Sequence, residues 1–446
     1  MVAVVEMRSV LRALMLALVV VAVAGCAGLR LSVHAPPESP YKARTAEVVG
    51  DDLDLASLRR AAHASLAYYD ALPTDSVGRH GVYKLGHDLY GRQELRASVA
   101  KFLEIIESTP RAKVHANLRE QCRTYIPTSR PRFTAYYEPL IGAAYEPDEQ
   151  HRFPVYASPA ELTTVHLAKF FKGDRRAIHG RVEDGEMEPY LTRRQIDGEG
   201  RLHGRGLELA WLSDPVDLFF LHIQGSGRLS MTDGKVLRVN FATSNGLPYT
   251  SVGRYMLDRG YLPPNKGSSG DIKHYLSANP ELQNDLMFRN ERYIFFRQVD
   301  LAPDQGPLGS LGVPLVSGRS LATDRRYVPP GVVTYLTTER PLVSDDGKLE
   351  AWQSFSRFAF SHDSGFAIKG PARVDLYWGE GEAAGREAGY VNGAGELAIL
   401  LCGVQPRRRV EVGSVAAYTP VEFSTWSSAT ALAPQPTATV AGQAGM

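Results

Sequence analysis

Apolar residues recur every three or four positions in two segments near the start of the chain. The first segment contains Leu55, Leu58, Ala62, Leu66 and Tyr69, and the second contains Leu95, Val99, Phe102, Leu103 and Ile106. This spacing is typical of amphipathic helices that bury one face. We therefore predict two helices here, with a role in packing.

Beyond Pro131 the pattern changes to short runs rich in β-branched and aromatic residues, bounded by Gly, Pro and Asp. Strands are predicted at 133–137, 216–223, 293–297, 332–336, 365–368, 373–378 and 396–401. Helices are predicted to interrupt them at 251–259 and 272–285. Short strands at this spacing favour barrels or sandwiches, so a mainly β protein with helices is expected.

The length of 446 residues exceeds what one hydrophobic core usually organises, so two domains are expected. Hydrophobic residues at 44% and charged residues at 22% indicate a globular protein. The net charge of +1 lacks the strong basic excess of a nucleic-acid binder. We therefore expect no nucleic-acid partner. The termini show no surplus of cysteine or aromatic residues that would indicate an obligate oligomer, so a monomer is the default expectation.

The N-terminus has the pattern of an export signal. Arg8 and Arg12 precede an apolar run at 13–25, which is too short to span a bilayer comfortably. The run ends in Val23-Ala24-Gly25-Cys26, which resembles a bacterial lipoprotein signal. The resemblance implies a signal peptide at 1–25 and acylation of Cys26, and several acyl chains would give durable membrane attachment. An ordinary signal peptide with an incidental cysteine is the alternative.

Ala27 follows the cysteine where an aspartate would favour retention at the inner membrane, so the resemblance implies an outer-membrane lipoprotein that faces the periplasm. Residues 26–46 are rich in proline and are predicted to be a mobile tether. The segment 411–446, rich in Ala, Thr, Ser and Pro, is predicted to be a disordered tail. Cys122 and Cys402 are compatible with a disulfide or with two buried thiols.

Two segments suggest ligand contacts. Residues 133–139 read Phe-Thr-Ala-Tyr-Tyr-Glu-Pro, and adjacent tyrosines on a strand point to opposite faces, so one of them is available to stack on a sugar ring. Residues 219–228 read as an apolar strand that enters a Gly-Ser-Gly turn, with Gln224 and Ser226 available to hydrogen-bond a ligand. A barrel-wall strand and a plain hairpin turn are the alternatives.

A third segment, 362–379, contains the strongest candidate for chemistry. Strand alternation places Arg373, Asp375 and Tyr377 on one face. A salt bridge from Asp375 to Arg373 or Lys369 is the structural alternative. Asp363 can approach the same site if the chain folds back.

Other classes of site are not indicated. The histidines lack partners at metal-ligand spacing, and no acidic run matches a calcium loop, so neither a metal nor a cofactor is expected. A serine-hydrolase elbow of the Gly-x-Ser-x-Gly type is also missing, since Gly225-Ser226-Gly227 is too short.

Taken together, these segments resemble the membrane-bound lytic murein transglycosylase A family. The matching stretches are 133–139, 218–228, 239–249, 290–297, 309–315, 318–324 and 363–379, within a likeness that covers about 50–405. The resemblance implies a double-psi β-barrel domain interrupted by a second β-barrel domain, with substrate in the groove between them. One departure is Phe366, which stands where the family usually has glycine.

The implied division places a helical first part of domain A at 47–132, an inserted β-rich domain B at 133–305, and the catalytic second part of domain A at 306–410. The implied activity is cleavage of the β-1,4 bond between N-acetylmuramic acid and N-acetylglucosamine in peptidoglycan strands, with formation of 1,6-anhydro ends. Asp375 would be the only acid/base and Asp363 a supporting carboxylate.

Glycan contacts are expected from Thr134, Tyr137, Gln224, Ser226 and Asn245, and contacts to substrate carboxylates from Lys369 and Arg373. A glycoside hydrolase that uses Asp363 and Asp375 as a pair is one alternative. A lipoprotein that binds the wall without cutting it is the other, because a fold does not by itself specify function.

Overall fold

The computed structural model describes residues 39–407 apart from 46–47, 49, 73–81, 172–175, 265 and 345–346. The signal peptide at 1–25, Cys26, most of the tether and the tail at 411–446 lie outside these residues. Among the helices that the structure describes, none combines the length and the apolar character needed to cross a membrane.

The described α-helices are mostly short and are distributed along the chain between the strands. They are α1 Leu55–Ala71, α2 Arg92–Ser108, α3 Val114–Gln121, α4 Pro215–Gln224, α5 Val252–Asp258, α6 Ser269–Ala278, α7 Pro280–Met287 and α8 Gly381–Tyr390. Both predicted N-terminal helices are confirmed as α1 and α2. Their apolar faces pack on the large sheet in one core that includes Leu58, Phe102, Phe358 and Ile399.

Strands dominate the rest of the described chain, which confirms the mainly β prediction. They are β1 Tyr41–Ala43, β2 Tyr83–Leu85, β3 Asp88–Tyr90, β4 Cys122–Pro127, β5 Arg132–Glu138, β6 Leu140–Ala144, β7 Phe153–Tyr156, β8 Thr163–His166, β9 Ala177–Glu183, β10 Glu186–Pro189, β11 Glu208–Leu212, β12 Ser226–Met231, β13 Val236–Ser244, β14 Ile294–Gln298, β15 Ser320–Thr323, β16 Val333–Val343, β17 Leu349–Asp363, β18 Arg373–Glu380, β19 Asn392–Ala394 and β20 Glu396–Cys402.

The strands form two main sheets. The larger has nine strands in the order β1-β4-β20-β16-β17-β15-β18-β5-β19, and the second has six in the order β14-β13-β12-β6-β11-β7. Strands β15 and β17 run parallel, as do β18 and β5. Strands β8–β10 form a separate three-stranded sheet, and β2 and β3 form a hairpin.

Two segments pair outside the region to which the sequence assigns them. Tyr41–Ala43, assigned to the tether, is a strand that pairs with β4, because the buried Tyr41 ring belongs to the first core. Strand β5, assigned to the inserted segment, pairs in parallel with β18 in the nine-stranded sheet. The chain therefore passes from the nine-stranded sheet to the six-stranded sheet at Pro139.

An ion cluster ties the two sheets at this crossing point. Glu138, the last residue of β5, is 1% exposed and accepts a hydrogen bond from Arg228 Nε at 2.9 Å. It also accepts two hydrogen bonds of 3.0 Å from Arg238 Nη2. Glu380, at the end of β18, pairs with Arg228 as well. The carboxylate at the end of one sheet is thus neutralised by arginines of the other.

The predicted strand at 216–223 is wrong, because these residues form helix α4. Asp214 caps the helix by accepting the Val216 N–H at 2.8 Å, Pro215 occupies its first turn, and Gly225 ends it at φ +81°. Leu218 and Leu221 enter one core while Phe219 and Phe220 enter another. Because a helix that is buried on several sides has no polar face, its sequence does not show the apolar spacing of three to four residues that is typical of a helix.

The predicted strand at 365–368 is also wrong, since these residues form a turn closed by a 3.1 Å hydrogen bond from Ile368 N to Gly365 O. The other predicted strands and both helical interruptions are confirmed, the second interruption as α6 and α7. Cys122 and Cys402, for which the sequence allows two states, form a disulfide between paired positions of β4 and β20.

Candidate active site

A row of side chains crosses the nine-stranded sheet at one level. Ala322 of β15 pairs with Asp363 of β17 on one side and with Asp375 of β18 on the other. Asp375 pairs with Thr134 of β5, which pairs with Asn392 of β19. Directly paired residues face the same side of a sheet. The two carboxylates therefore share a face, with only the methyl group of Ala322 between them.

A bulge creates this alignment. The register between β15 and β17 skips His362, so that Asp363 comes opposite Ala322. The His362 ring turns into the protein, where Nε2 lies 2.9 Å from Ser65 Oγ and Nδ1 lies 2.9 Å from Ser320 Oγ. Burial lowers the pKa of His362 to about 3, so the ring is neutral at physiological pH. It anchors the end of β17 to α1 and to β15.

Asp375 is half-buried and is held by a short chain of donors. The Thr134 hydroxyl donates to Asp375 Oδ1, and Arg373 Nη2 donates to Thr134 Oγ1 at 2.8 Å. A second guanidinium nitrogen of Arg373 donates to the carbonyl of Val374 at 2.9 Å. Arg373 thus reaches Asp375 through a hydroxyl group, in place of the simple ion pair that was the structural alternative.

Burial raises the pKa of Asp375 above its ordinary value. The Thr134 hydrogen bond and the positive charge of Arg373 lower it in part, and the negative charge of Asp363 raises it further. The net shift favours the protonated form. A carboxyl group of this kind is suited to give up a proton to a bound substrate and to take one back.

Asp363 is held differently, because hydrogen-bond donors occupy both of its oxygens. The backbone N–H groups of Ser310 and Ser364 donate to Oδ1, each at 2.8 Å, and the Tyr136 hydroxyl donates to Oδ2 at 2.9 Å. Burial, with the charge of Asp363, raises the pKa of Tyr136 well above its ordinary value, so the phenol keeps its proton. Its ring lies 5.5 Å from that of Tyr377.

Tyr136 is a site residue that the sequence analysis missed in favour of Tyr137. Thr134 and Tyr136 are two positions apart on β5 and share the face of Asp375, whereas Tyr137 points to the other face. The Tyr137 ring lies against Gly385 of α8, where a Cβ atom would meet it at 2.7 Å. Counting alternate positions from Thr134 identifies Tyr136 as the tyrosine on the face of Asp375.

Of the other residues predicted to contact glycan, two lie at the junction of the sheets and one lies in the protein interior. Gln224 Oε1 accepts the Tyr137 N–H at 3.2 Å, and Ser226 begins β12, so both lie where β5 meets the second sheet. Asn245 is fully buried, and its side chain makes hydrogen bonds of 2.9 to 3.3 Å to backbone atoms of Leu191, Glu291, Tyr293 and Leu247. Its predicted contact with glycan is therefore corrected to a structural role.

Lys369 is exposed on the loop after Asp363, with Nζ 5.1 Å from the centre of the Phe366 ring. In the part of the chain that the structure describes, no group of three or more His, Cys, Asp or Glu side chains is placed to hold a metal ion.

Comparison with known families gives two matches along the chain. Residues 132–297 match the MltA-specific insert domain, and residues 319–401 match the 3D domain. The insert match corresponds to β5 through β14, and the 3D match contains Asp363 and Asp375. The two matches together place the chain in the class of 3D-domain proteins that carry the MltA-specific insert.

Individual relatives agree. Membrane-bound lytic murein transglycosylase A of Escherichia coli K12 is 31% identical over 272 residues, which is 60% of this chain and 65%, just under two thirds, of that protein. The crystal structure of a membrane-bound lytic murein transglycosylase from Agrobacterium tumefaciens is 32% identical, with a TM-score of 0.64 over 78% of this chain and 93% of that one. MltA from Neisseria gonorrhoeae is 29% identical, with a TM-score of 0.57 over 84% and 98%. The chain belongs to the membrane-bound lytic murein transglycosylase A family.

Proposed function

We propose that the protein is a lytic transglycosylase that cleaves the β-1,4 bond between N-acetylmuramic acid and N-acetylglucosamine in peptidoglycan strands. One observation carries the proposal: the half-buried Asp375 shares a sheet face with Asp363, and donors occupy both oxygens of Asp363 while burial raises the pKa of Asp375. One carboxyl group is therefore available for proton transfer. The relatives, named lytic murein transglycosylases, support the same activity.

In this mechanism the Asp375 carboxylic acid donates its proton to the glycosidic oxygen, and the bond from that oxygen to C1 of the muramoyl residue breaks. The resulting Asp375 carboxylate accepts the proton of the muramoyl C6 hydroxyl as its oxygen attacks C1. The 1,6-anhydro ring closes and Asp375 is again protonated, with no net addition of water. Asp363, held by Tyr136, would stabilise the positive charge that develops at C1.

Two other activities use parts of the same site. A glycoside hydrolase would need Asp363 as a base or nucleophile beside Asp375. The position of both carboxylates on one sheet face favours this alternative. Register places the two Cα atoms two strand spacings apart, about 10 Å. However, three donors already hold Asp363. A binding module that cuts no bond would not need a raised pKa at Asp375.

Mass spectrometry of the muropeptides released from purified peptidoglycan by the protein without its lipid tests the proposal. We expect anhydro-muropeptides, lighter by one water than the corresponding reducing-end products. Reducing ends would instead establish the two-carboxylate hydrolase. Binding of the strands without release would establish the binding module.

The pH profile of kcat/KM should move in opposite directions in two variants. Because Asp375 must be protonated to act, activity falls as pH rises through its raised pKa. Thr134→Val removes a hydrogen bond that lowers this pKa, so the alkaline limb should move to higher pH. Asp363→Asn removes a negative charge that raises it, so the limb should move to lower pH. Shifts in the same direction, or none, would contradict Asp375 as the titrating group.

For substrate binding we propose a double-psi β-barrel in the nine-stranded sheet and a second barrel in the six-stranded sheet, with the glycan in the groove between them. The parallel pairs β5–β18 and β15–β17 within a mostly antiparallel sheet support the first barrel. The corresponding domains would be residues 47–132 with 306–410, and the inserted 133–305. Gln224, Ser226 and Thr134 would contact the glycan, and Arg373 and Lys369 its carboxylates.

We further propose that acylation of Cys26 anchors the protein in the outer membrane, facing the periplasm, and that it acts as a monomer. The four residues Val23-Ala24-Gly25-Cys26 support the anchor, and the relatives are named as membrane-bound proteins.

A further inference from the structure

An exposed aromatic ring lies on the loop that follows Asp363. Phe366 lies three residues after Asp363, and its side chain is 49% exposed. The ring is accompanied by two cations: Arg292 Cζ lies 4.0 Å from its centre and Lys369 Nζ lies 5.1 Å from it. Such contacts hold a cation by the negative face of the ring.

The two cations come from different parts of the fold. Lys369 belongs to the same loop as Phe366, whereas Arg292 precedes β14 of the six-stranded sheet. Arg292 is only 9% exposed, and its Nη1 donates to the carbonyl of Leu247 at 3.2 Å. Burial lowers its pKa to about 10, which leaves it charged at physiological pH. At Phe366 the loop after Asp363 therefore meets a cation of the inserted segment, and this contact is additional to the Glu138 cluster.

The loop that presents Phe366 is fixed at both ends. Ser364 Oγ donates to Ser310 Oγ at 3.0 Å, beside the two N–H groups that hold Asp363. Ile368 is buried, and Gly370 N donates to Asp324 Oδ2 at 2.7 Å. The position of the ring is thus set before any ligand arrives, which reduces the entropy lost on binding.

Positive charge prevails around this loop. Besides Arg292 and Lys369, Arg325 donates to Ser310 Oγ, and its Nε is buried with no hydrogen-bond partner. Of the nearby carboxylates, Asp324 is neutralised by Arg326, with a closest contact of 2.7 Å, and Asp363 accepts three hydrogen bonds. An anionic group would meet cations here.

We propose that Phe366, with Arg292 and Lys369, forms a subsite that selects glycan strands carrying stem peptides, in which the ring positions the two cations to bind a peptide carboxylate. The inference rests on the proposed function for its substrate class. It assigns a role to an exposed ring that the proposed reaction itself does not use.

Binding measurements in the Asp375→Asn background test this, because the strands then remain intact. Isothermal titration calorimetry compares strands that carry their peptides with the same strands stripped by an amidase. We expect Asp375→Asn to bind the peptide-bearing strands about tenfold more tightly than it binds the stripped strands. This preference should weaken as salt is added. Adding Phe366→Gly or Lys369→Met should reduce the preference to about threefold or less.

Matched variants separate the ring from general effects. Phe366→Leu keeps apolar bulk and should lose the preference, whereas Phe366→Tyr should keep it. Phe171→Gly removes another exposed phenylalanine, far from Asp363 in the sequence, and should leave the preference unchanged. Thermal unfolding of each variant verifies that it is folded.

Two results would overturn the inference. One is a folded Phe366→Gly variant whose preference for peptide-bearing strands stays within about twofold of that of Asp375→Asn. The other is no preference in Asp375→Asn itself. Product analysis of the wild type reports separately on the reaction. An active enzyme without the Phe366-dependent preference refutes the subsite alone. A Phe366-dependent preference in a protein that releases no anhydro product refutes the transglycosylase activity alone.

Discussion

Replacing Asp375 with asparagine should lower the rate of anhydro-muropeptide release by about 10³-fold or more. The amide has the shape of the carboxyl group and can still accept the Thr134 hydrogen bond, but it has no proton to give to the glycosidic oxygen. It also cannot accept the proton of the C6 hydroxyl. Because one residue serves both steps, no second group in the described site replaces it.

The measurement is the initial rate of soluble product release from purified peptidoglycan, with products identified by mass spectrometry. Asp233→Asn, in the exposed turn between β12 and β13, is the matched control and should retain wild-type activity. Affinity for intact strands should stay within about threefold in Asp375→Asn, because the lost interaction acts in the transition state. Activity within tenfold of wild type would exclude Asp375 as the acid/base.

Replacing Glu138 with alanine should reduce the free energy of unfolding by about 3–5 kcal/mol. The carboxylate is 1% exposed, and its partner Arg238 is almost as deeply buried, at 6%. Removing the carboxylate leaves the charges of Arg238 and Arg228 without their shared partner in a site of low dielectric. Since Glu138 lies where the chain crosses between the sheets, the loss should affect the packing of one sheet against the other.

Urea denaturation followed by tryptophan fluorescence measures this change. Glu146→Ala, at an exposed position soon after β6, should change the free energy of unfolding by less than about 0.5 kcal/mol. A double-mutant cycle with Arg238→Met isolates the pair, and the double variant should be less destabilised than Glu138→Ala alone. A loss below about 1 kcal/mol in Glu138→Ala would show that water or another group replaces the carboxylate.

Much of the fold could be predicted because its signals are local. The apolar spacing in α1 and α2 and the β-rich runs at β5, β14, β16, β18 and β20 depend on neighbours in the chain. Helix α4 was mistaken for a strand because apolar residues face two cores at once and hide the helical period. Its caps, Asp214, Pro215 and Gly225, carried the correct signal and outweigh the apolar run.

For the candidate active site, sequence alone identified the candidate acid/base, Asp375, and part of its setting. Strand alternation placed Arg373 and Asp375 on one face, and the family likeness pointed to Asp363 and to the inserted segment. The same alternation on β5 could have selected Tyr136 over Tyr137. These are properties of single strands, because successive side chains along a strand point to opposite faces of the sheet.

Only the tertiary structure decided which strands stand side by side and in what register. The bulge that brings Asp363 opposite Ala322, the hydroxyl between Arg373 and Asp375, the burial of Asn245 and the contact of Phe366 with Arg292 all join segments far apart in the chain. Pairing of this kind depends on packing across the whole domain, because shifting a strand by one residue reverses every side chain on it. Local sequence does not contain that information.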